Sequence, residues 1–292
     1  MLRSTTLGET FGGAAWLKCE LFQKTGSFKP RGVLTKLASL SADEKARGVI
    51  SISAGNHAAA LAYASALEGA DALVVMWQGT SEQKITAARR YGATIDLDAP
   101  DPAAAFERLA DLRAETGRTL VHPFDDPLVI AGQGTVGLEI LEQRPDVDVV
   151  VVPVGGGGLV SGIAAAASRA RIVAVEPEGS AALHAALEAR RPVPVMPDSI
   201  ADGLNAPFAG DHAVELCTER GVESVLVTED EIAEGFRFLY ERAKLAAEPA
   251  AAAGIAALLA EKVPDVEGKS VAIVVSGGNV ARETAAGILE GL

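Results

Sequence analysis

Asp148-Val149-Val150-Val151-Val152-Pro153-Val154 runs straight into Gly155-Gly156-Gly157-Gly158 and then Leu159-Val160-Ser161-Gly162. No polar residue interrupts positions 149–154, as a strand covered on both faces of a parallel sheet requires. Four glycines at its carboxyl end strip the backbone of side chains where a helix is about to start, so several N–H groups can converge on one anion. The loop lacks the lysine of a GxxxxGK[ST] loop and is not a GxGxxG turn, so a single terminal phosphate suits it better than a nucleotide. A merely flexible loop is the weaker reading, because four unconstrained residues beside a core strand cost backbone entropy with nothing to offset it.

The same rhythm of strand, turn and helix extends in both directions. Strand-like runs are expected at 15–20, 49–53, 72–77, 94–97, 147–154, 171–175, 224–227 and 270–275. Helical patterns fall at 58–67, 81–91, 102–116, 134–143, 159–170, 229–245 and 251–262. Such alternation predicts an α/β fold of two open, mostly parallel twisted sheets with flanking helices. Ligands in such folds bind at the carboxyl ends of strands, and the cleft between the sheets is the expected place. Gly48 and the turn-rich His122-Pro123-Phe124-Asp125-Asp126-Pro127 are the expected boundaries, giving a small domain of 48–125 and a larger one of 1–47 plus 126–292.

Composition narrows the partners. Of 292 residues, 49% are hydrophobic but only 4% aromatic, so the core must be built from Ala, Val, Leu and Ile. A net charge of −13 argues against a nucleic acid or an anionic membrane as the main partner, though backbone amides can still bind a small anion. Cys19 and Cys217 lie far apart, with no CxxC pair or metal-spaced Cys/His cluster, which fits a reducing, cytoplasmic setting. The opening MLRSTTLGET has no apolar core of a secretion signal.

Three further stretches carry polar chemistry. In Thr25-Gly26-Ser27-Phe28-Lys29-Pro30, a tight polar loop delivers Lys29 to a helix start at Pro30. An aromatic neighbour and a helix N-terminus can both favour the neutral, nucleophilic amine. Ser53-Ala54-Gly55-Asn56-His57 follows a strand and opens a helix, so its amides can hold a carboxylate; an Asn-capped helix explains it equally well. His57 reads more readily as structural than as a base, because no nucleophile and orienting group accompany it. Val271 to Val275 ends in Ser276-Gly277-Gly278-Asn279, which puts a hydroxyl at a strand end, although a tight turn would explain the glycines as well.

A candidate reactive lysine, a monophosphate cradle, a carboxylate loop and a strand-end serine together point to pyridoxal 5′-phosphate. GSFKPRG, SAGNHAAA, HPFDDPLVIAGQGT, GGGGL, AVEPEG, the Ala201-Asp202-Gly203 turn and SGGN occur here in one order. In this the chain resembles the threonine/serine dehydratases, pyridoxal-phosphate enzymes of the tryptophan synthase beta-like fold type II related to serine racemase. Cysteine synthases, with a TSGNTG-type loop where this chain has SAGNHA, are a poorer match. The resemblance implies that Lys29 is joined covalently to the cofactor, with Phe28 beside its ring and Asn56 at its ring hydroxyl. Gly155, Gly156, Gly157 and Gly158 would bind the phosphate, Ser276 the pyridine nitrogen, and Gly203 and Glu248 would line the far side of the ring. Ser53, Gly55, Asn56 and His57 would hold the substrate carboxylate.

The implied activity is an ammonia-lyase acting on threonine or serine, with a small hydroxy amino acid as partner and a homodimer or homotetramer as assembly. Serine racemase, hydroxyaspartate dehydratase and a non-catalytic cofactor-binding protein are the alternatives. Racemases that resemble this chain carry a serine after Ser53, where this chain has Ala54. The family's cation site uses the Glu of EP with residues four and six further on, here Glu176, Ser180 and Ala182. One carboxylate is thus missing, which leaves Glu176 a weak metal candidate and a divalent or monovalent cation undecided. The family also usually carries a helix before the point where this chain begins, and Ala281 stands where an Asp is common.

Overall fold

The computed structural model describes residues 1–291. Among them are the strands β1 (Leu2–Ser4), β2 (Ala14–Cys19), β3 (Val49–Ile52), β4 (Ala72–Trp77), β5 (Thr94–Ala99), β6 (Thr119–Leu120), β7 (Val149–Pro153), β8 (Arg171–Pro177), β9 (Glu223–Val227) and β10 (Ser270–Val275). They form a six-stranded sheet in the order β1-β2-β10-β7-β8-β9 and a four-stranded sheet in the order β5-β4-β3-β6. Only β1 runs antiparallel to its neighbour. The expected two-sheet α/β architecture is therefore the one present. β7 lies between β10 and β8 with every residue buried, as its polar-free run demands.

The chain divides into two compact units, a larger one of Met1–Phe22, Gly26–Phe28 and Gln133–Leu292, and a smaller one of Gln23–Thr25 and Lys29–Gly132. The boundaries differ from those expected at 48 and 125. In the smaller unit Val33 and Leu37 of the helix Pro30–Ala38, both fully buried, join a core with Val49, Leu61, Val74 and Val129. That apolar face carries the residues after Lys29 into this unit, and Val129 carries the far boundary past 125. Gly26–Phe28 belong to the larger unit because Ser27 bridges Gly277 and the Phe28 N–H donates to Ser276 O at 3.1 Å.

The larger unit explains the scarcity of aromatic residues. Its Ala-rich helix Pro249–Leu259 is buried from Pro249 to Leu258 and packs against the helix Glu229–Glu241. A Cβ added at Gly235 would lie 2.7 Å from Ala252 O, and one at Gly254 would lie 2.9 Å from Ile273 Cγ2. Small side chains let these backbones approach, and larger ones would force the helices apart.

Short elements escape the pattern. β1 is largely exposed and β6 has two residues, too few to show a period. The short helices Thr5–Thr10, Ala42–Arg47, Ala182–Ala189, Asp211–Glu219 and Arg282–Glu290 also fall outside the expected set. The helix expected from 134 begins at Pro127. Asp126 Oδ1 caps it, accepting from the N–H groups of Leu128 (2.9 Å) and Val129 (3.2 Å).

Candidate active site

In the smaller unit Lys29 immediately precedes the helix Pro30–Ala38, with Pro30 in the first position as expected. The loop before it holds Thr25 and Gly26 at φ 63° and 77°, a left-handed pair that turns the chain sharply. Lys29 is half-buried, and its Nζ donates to Pro123 O at 2.7 Å. Pro123 lies in the segment that follows β6. There His122 Nδ1 accepts from the N–H groups of Phe124 (3.3 Å) and Asp125 (2.8 Å). One residue earlier, Val121 O accepts from Ser51 Oγ at 2.7 Å and lies 3.1 Å from His57 Nε2.

Both imidazoles are held neutral. Burial, followed by the charge of Lys29, pushes His57 down to about 3. Burial likewise holds His122 below the ordinary histidine range, with Asp125 opposing it. These bonds put the His57 proton on Nε2, donating to Val121 O, and leave His122 Nδ1 as an acceptor.

β3 ends at Ile52 and the helix Asn56–Glu68 begins at Asn56, so the turn expected at 53–55 is present. Ser53, Ala54, Gly55 and Asn56 are half-buried, and the Gly55 N–H donates to Ser53 Oγ at 3.1 Å. His57 is 2% exposed, so its part in carboxylate binding falls to the backbone. Its ring lies in the interior, and only its backbone N–H, in the first helical turn, is placed to meet an anion.

The larger unit gathers the other expected residues. Gly157, at φ 89°, precedes the helix Gly158–Ala166 without a side-chain cap, so the first amides of that helix lack intrahelical acceptors. The loop is pinned through its carbonyls. Gly156 O accepts from the Gly210 N–H at 3.1 Å, and Gly157 O accepts from the Ser161 N–H (3.0 Å) and Oγ (2.8 Å). A Cβ on Gly155 would come 3.1 Å from Leu204 O, in the same turn as Gly203. One on Gly203 would come 3.7 Å from Glu248 Oε1, and one on Gly277 would come within bonding-overlap range of that oxygen. Glu248 is 4% exposed, and its N–H donates to Gly277 O at 3.1 Å. Gly155 to Gly158, Gly203, Glu248, Ser276 and, through its bond to Ser276 O, Phe28 thus belong to one connected wall.

A family model described as pyridoxal-phosphate dependent enzyme matches residues 1–277. The chain belongs to the pyridoxal-phosphate dependent enzyme family. It is 45% identical over 282 residues to the L-threonine ammonia-lyase of Thermotoga maritima, covering 95% of this chain and 70% of that one. Its fold matches maize serine racemase with a TM-score of 0.93 at 34% identity, over 99% of this chain and 91% of that one. The processed threonine deaminase isoform 2 of Solanum lycopersicum matches with a TM-score of 0.94 at 32% identity, over 99% and 82%.

The residues present fit pyridoxal phosphate. Close packing of Gly155 on Leu204, of Gly203 on Ala250 and of Gly277 on Glu248 and Ser27 fixes the loops at these strand ends, and the uncapped helix start after Gly157 suits a phosphate. Ser27, wholly buried and bridged to Gly277, ties the loop before Lys29 to the turn after the last strand. Sequence reasoning missed Ser27, His122 and Pro123. HPFDD was visible as a turn, but nothing in it announces that a proline carbonyl receives a lysine 94 residues away. A cavity of about 510 Å³ in the smaller unit, lined by Lys36, His122, Asp125 and Asp126, includes none of the residues expected to touch cofactor or substrate.

Glu176, the weak metal candidate, is buried and bonded to the backbone. Its Oε1 accepts from the Leu183 N–H at 2.7 Å and its Oε2 from the His184 N–H at 2.8 Å, capping the helix Ala182–Ala189. Ser180 Oγ donates to Leu204 O at 3.0 Å, and no group of three His, Cys, Asp or Glu side chains converges on a metal position among the described residues. Burial pushes Glu176 up to about 7, against the N–H groups of Leu183, His184 and Ala182 that favour its ionised form. A carboxyl raised from its ordinary 4.5 keeps its proton better folded than unfolded. Its contribution is full below pH 4.5 and lost as pH rises to about 7. Urea unfolding is therefore expected to show stability falling by roughly 2–3 kcal/mol across that window, and Glu176→Gln is expected to flatten the fall. An equal slope in both proteins would assign the pH dependence elsewhere.

Proposed function

We propose that this protein is a pyridoxal-phosphate-dependent ammonia-lyase that converts L-threonine or L-serine into a 2-oxo acid and ammonia. The observation that carries the reading is Lys29, fixed by Pro123 O and following in the chain directly after Phe28, whose N–H is tied to the strand-end Ser276. A relative named L-threonine ammonia-lyase over 95% of the chain supports it. In this reading Gly155, Gly156, Gly157 and Gly158 would hold the phosphate, Ser276 would serve the pyridine nitrogen, Phe28, Gly203 and Glu248 would serve the ring, and Asn56 would serve its hydroxyl. The larger unit is in this reading the cofactor-binding part and the smaller the substrate-loop part.

Pyridoxal phosphate supplies an electron sink for the substrate's Cα, and a neutral Ser276 makes that sink milder than an aspartate would. The amides of Ser53, Gly55, Asn56 and His57 hold the substrate carboxylate at the helix start. Lys29 Nζ, as a free amine, would take the proton from Cα as general base. The β-hydroxyl would leave as water by taking up the proton that Lys29 Nζ removed from Cα, and a second water would release the substrate nitrogen as ammonia by hydrolysis. A cytoplasmic setting and a homodimer or homotetramer complete the proposal; no helix among the described residues is long and apolar enough to cross a membrane. A panel of L-threonine, L-serine and 3-hydroxyaspartate tests it. Equal release of ammonia and 2-oxo acid is expected, and cofactor binding without turnover of any of the three would refute it.

Elimination is favoured over racemisation because racemisation needs a second proton donor on the face of Cα opposite Lys29. Ala54, in the turn after β3, has no exchangeable proton. Ala54→Ser is expected to raise the ratio of D-serine to pyruvate at least about ten-fold. Chiral chromatography of an L-serine reaction reads the ratio. Rapid D-serine formation by the unmodified protein, comparable to pyruvate release, would show that another residue supplies the proton.

A further inference from the structure

Whenever the Lys29 amine is free, three N–H donors on a flexible four-carbon stem need a fixed partner if the amine is to return to one place. The Pro123 carbonyl is such a partner, at 2.7 Å from Nζ. Proline has no N–H of its own, so the position of its carbonyl depends on neighbouring bonds. Two neutral imidazoles supply them. His57 Nε2 and Ser51 Oγ fix Val121 O on one side. On the other, His122 Nδ1 accepts from residues two and three further on, the pattern by which an Asn or Asp side chain closes a turn.

We propose that His122 is a positioning residue for the Lys29 amine, its Nδ1 closing the 122–125 turn that presents the Pro123 carbonyl to Lys29 Nζ. The role rests on the reading of Lys29 as the cofactor lysine, and the ring acts as a neutral acceptor without touching substrate. Ring stacking supports the same geometry, with His122 and Phe124 edge to face at 4.6 Å between centroids.

Atom position separates this role from a bulk or charge effect. Asn Oδ1 occupies the place of His Nδ1, three bonds from Cα, whereas Gln Oε1 reaches the place of Nε2. His122→Asn is therefore expected to keep the turn and His122→Gln to lose it, in proteins with unchanged circular dichroism. The test is the rate at which acetic anhydride modifies Lys29 at pH 8 in protein stripped of cofactor, read by peptide mass mapping against the other lysines. Loss of the carbonyl bond that favours the ammonium form is expected to make His122→Gln label about five-fold faster at Lys29, the size of one such bond. The Asn variant should match the unmodified protein. In the reconstituted enzyme kcat should fall for Gln with KM little changed and recover for Asn. Equal Lys29 rates in the Asn and Gln variants would overturn the proposal. Protection of Lys29 by added pyridoxal phosphate is read in the same experiment; protection of a different lysine would instead overturn the assignment of Lys29 itself.

Discussion

Lys29→Ala is expected to lower kcat for ammonia release from L-threonine at least about 10⁴-fold, because one change removes both the covalent attachment of the cofactor and the base at Cα. The fold should persist. Lys29 is half-buried, the turn before it is closed by backbone geometry, and the Val33 N–H bond to Lys29 O is made by the main chain. Buried Val33 and Leu37, which hold the following helix in the smaller core, are untouched. Rapid-quench assay of ammonia at saturating substrate measures the effect, with circular dichroism as the check on folding. A folded Lys29→Ala protein retaining a tenth of the activity would mean that another group removes the proton.

Gly156→Asp is expected to weaken pyridoxal phosphate binding at least about 100-fold, since it brings a side chain and a negative charge to the amides that should receive a phosphate. Gly156 is the better site for the test than its neighbour. Gly157 has a left-handed backbone, and a Cβ there would sit 2.5 Å from Ala213 Cβ, so a substitution would confuse folding with binding. Cofactor titration followed by fluorescence compares the variant with the unmodified protein. Equal affinity in a folded Gly156→Asp protein would remove the glycine loop from the phosphate site.

Much of this was legible in the residues because the chemistry sits in contiguous stretches. A polar-free strand and four glycines specify a buried β7 and a bare helix start, both local properties. Lys29 beside Pro30 was legible for the same reason. The domain boundary was not, because Val33 and Leu37 are apolar at helical spacing whichever sheet they face, and only the packed core shows that they join Leu61 and Val74. His57 was legible as structural, because no nucleophile or orienting group accompanies it in the sequence; its bond to Val121 O was not, because that partner lies 64 residues away. The helix that Glu176 caps was not legible, because Ala182–Ala189 is too short to give a periodic signal.

The central claim is that Lys29 carries the cofactor, and borohydride reduction tests it most directly. The purified protein should show a visible absorption band that reduction abolishes, and peptide mapping should then find the pyridoxyl group on the peptide containing Phe28-Lys29-Pro30. Fixation of the cofactor on any other lysine, with Lys29 unmodified, would contradict the account.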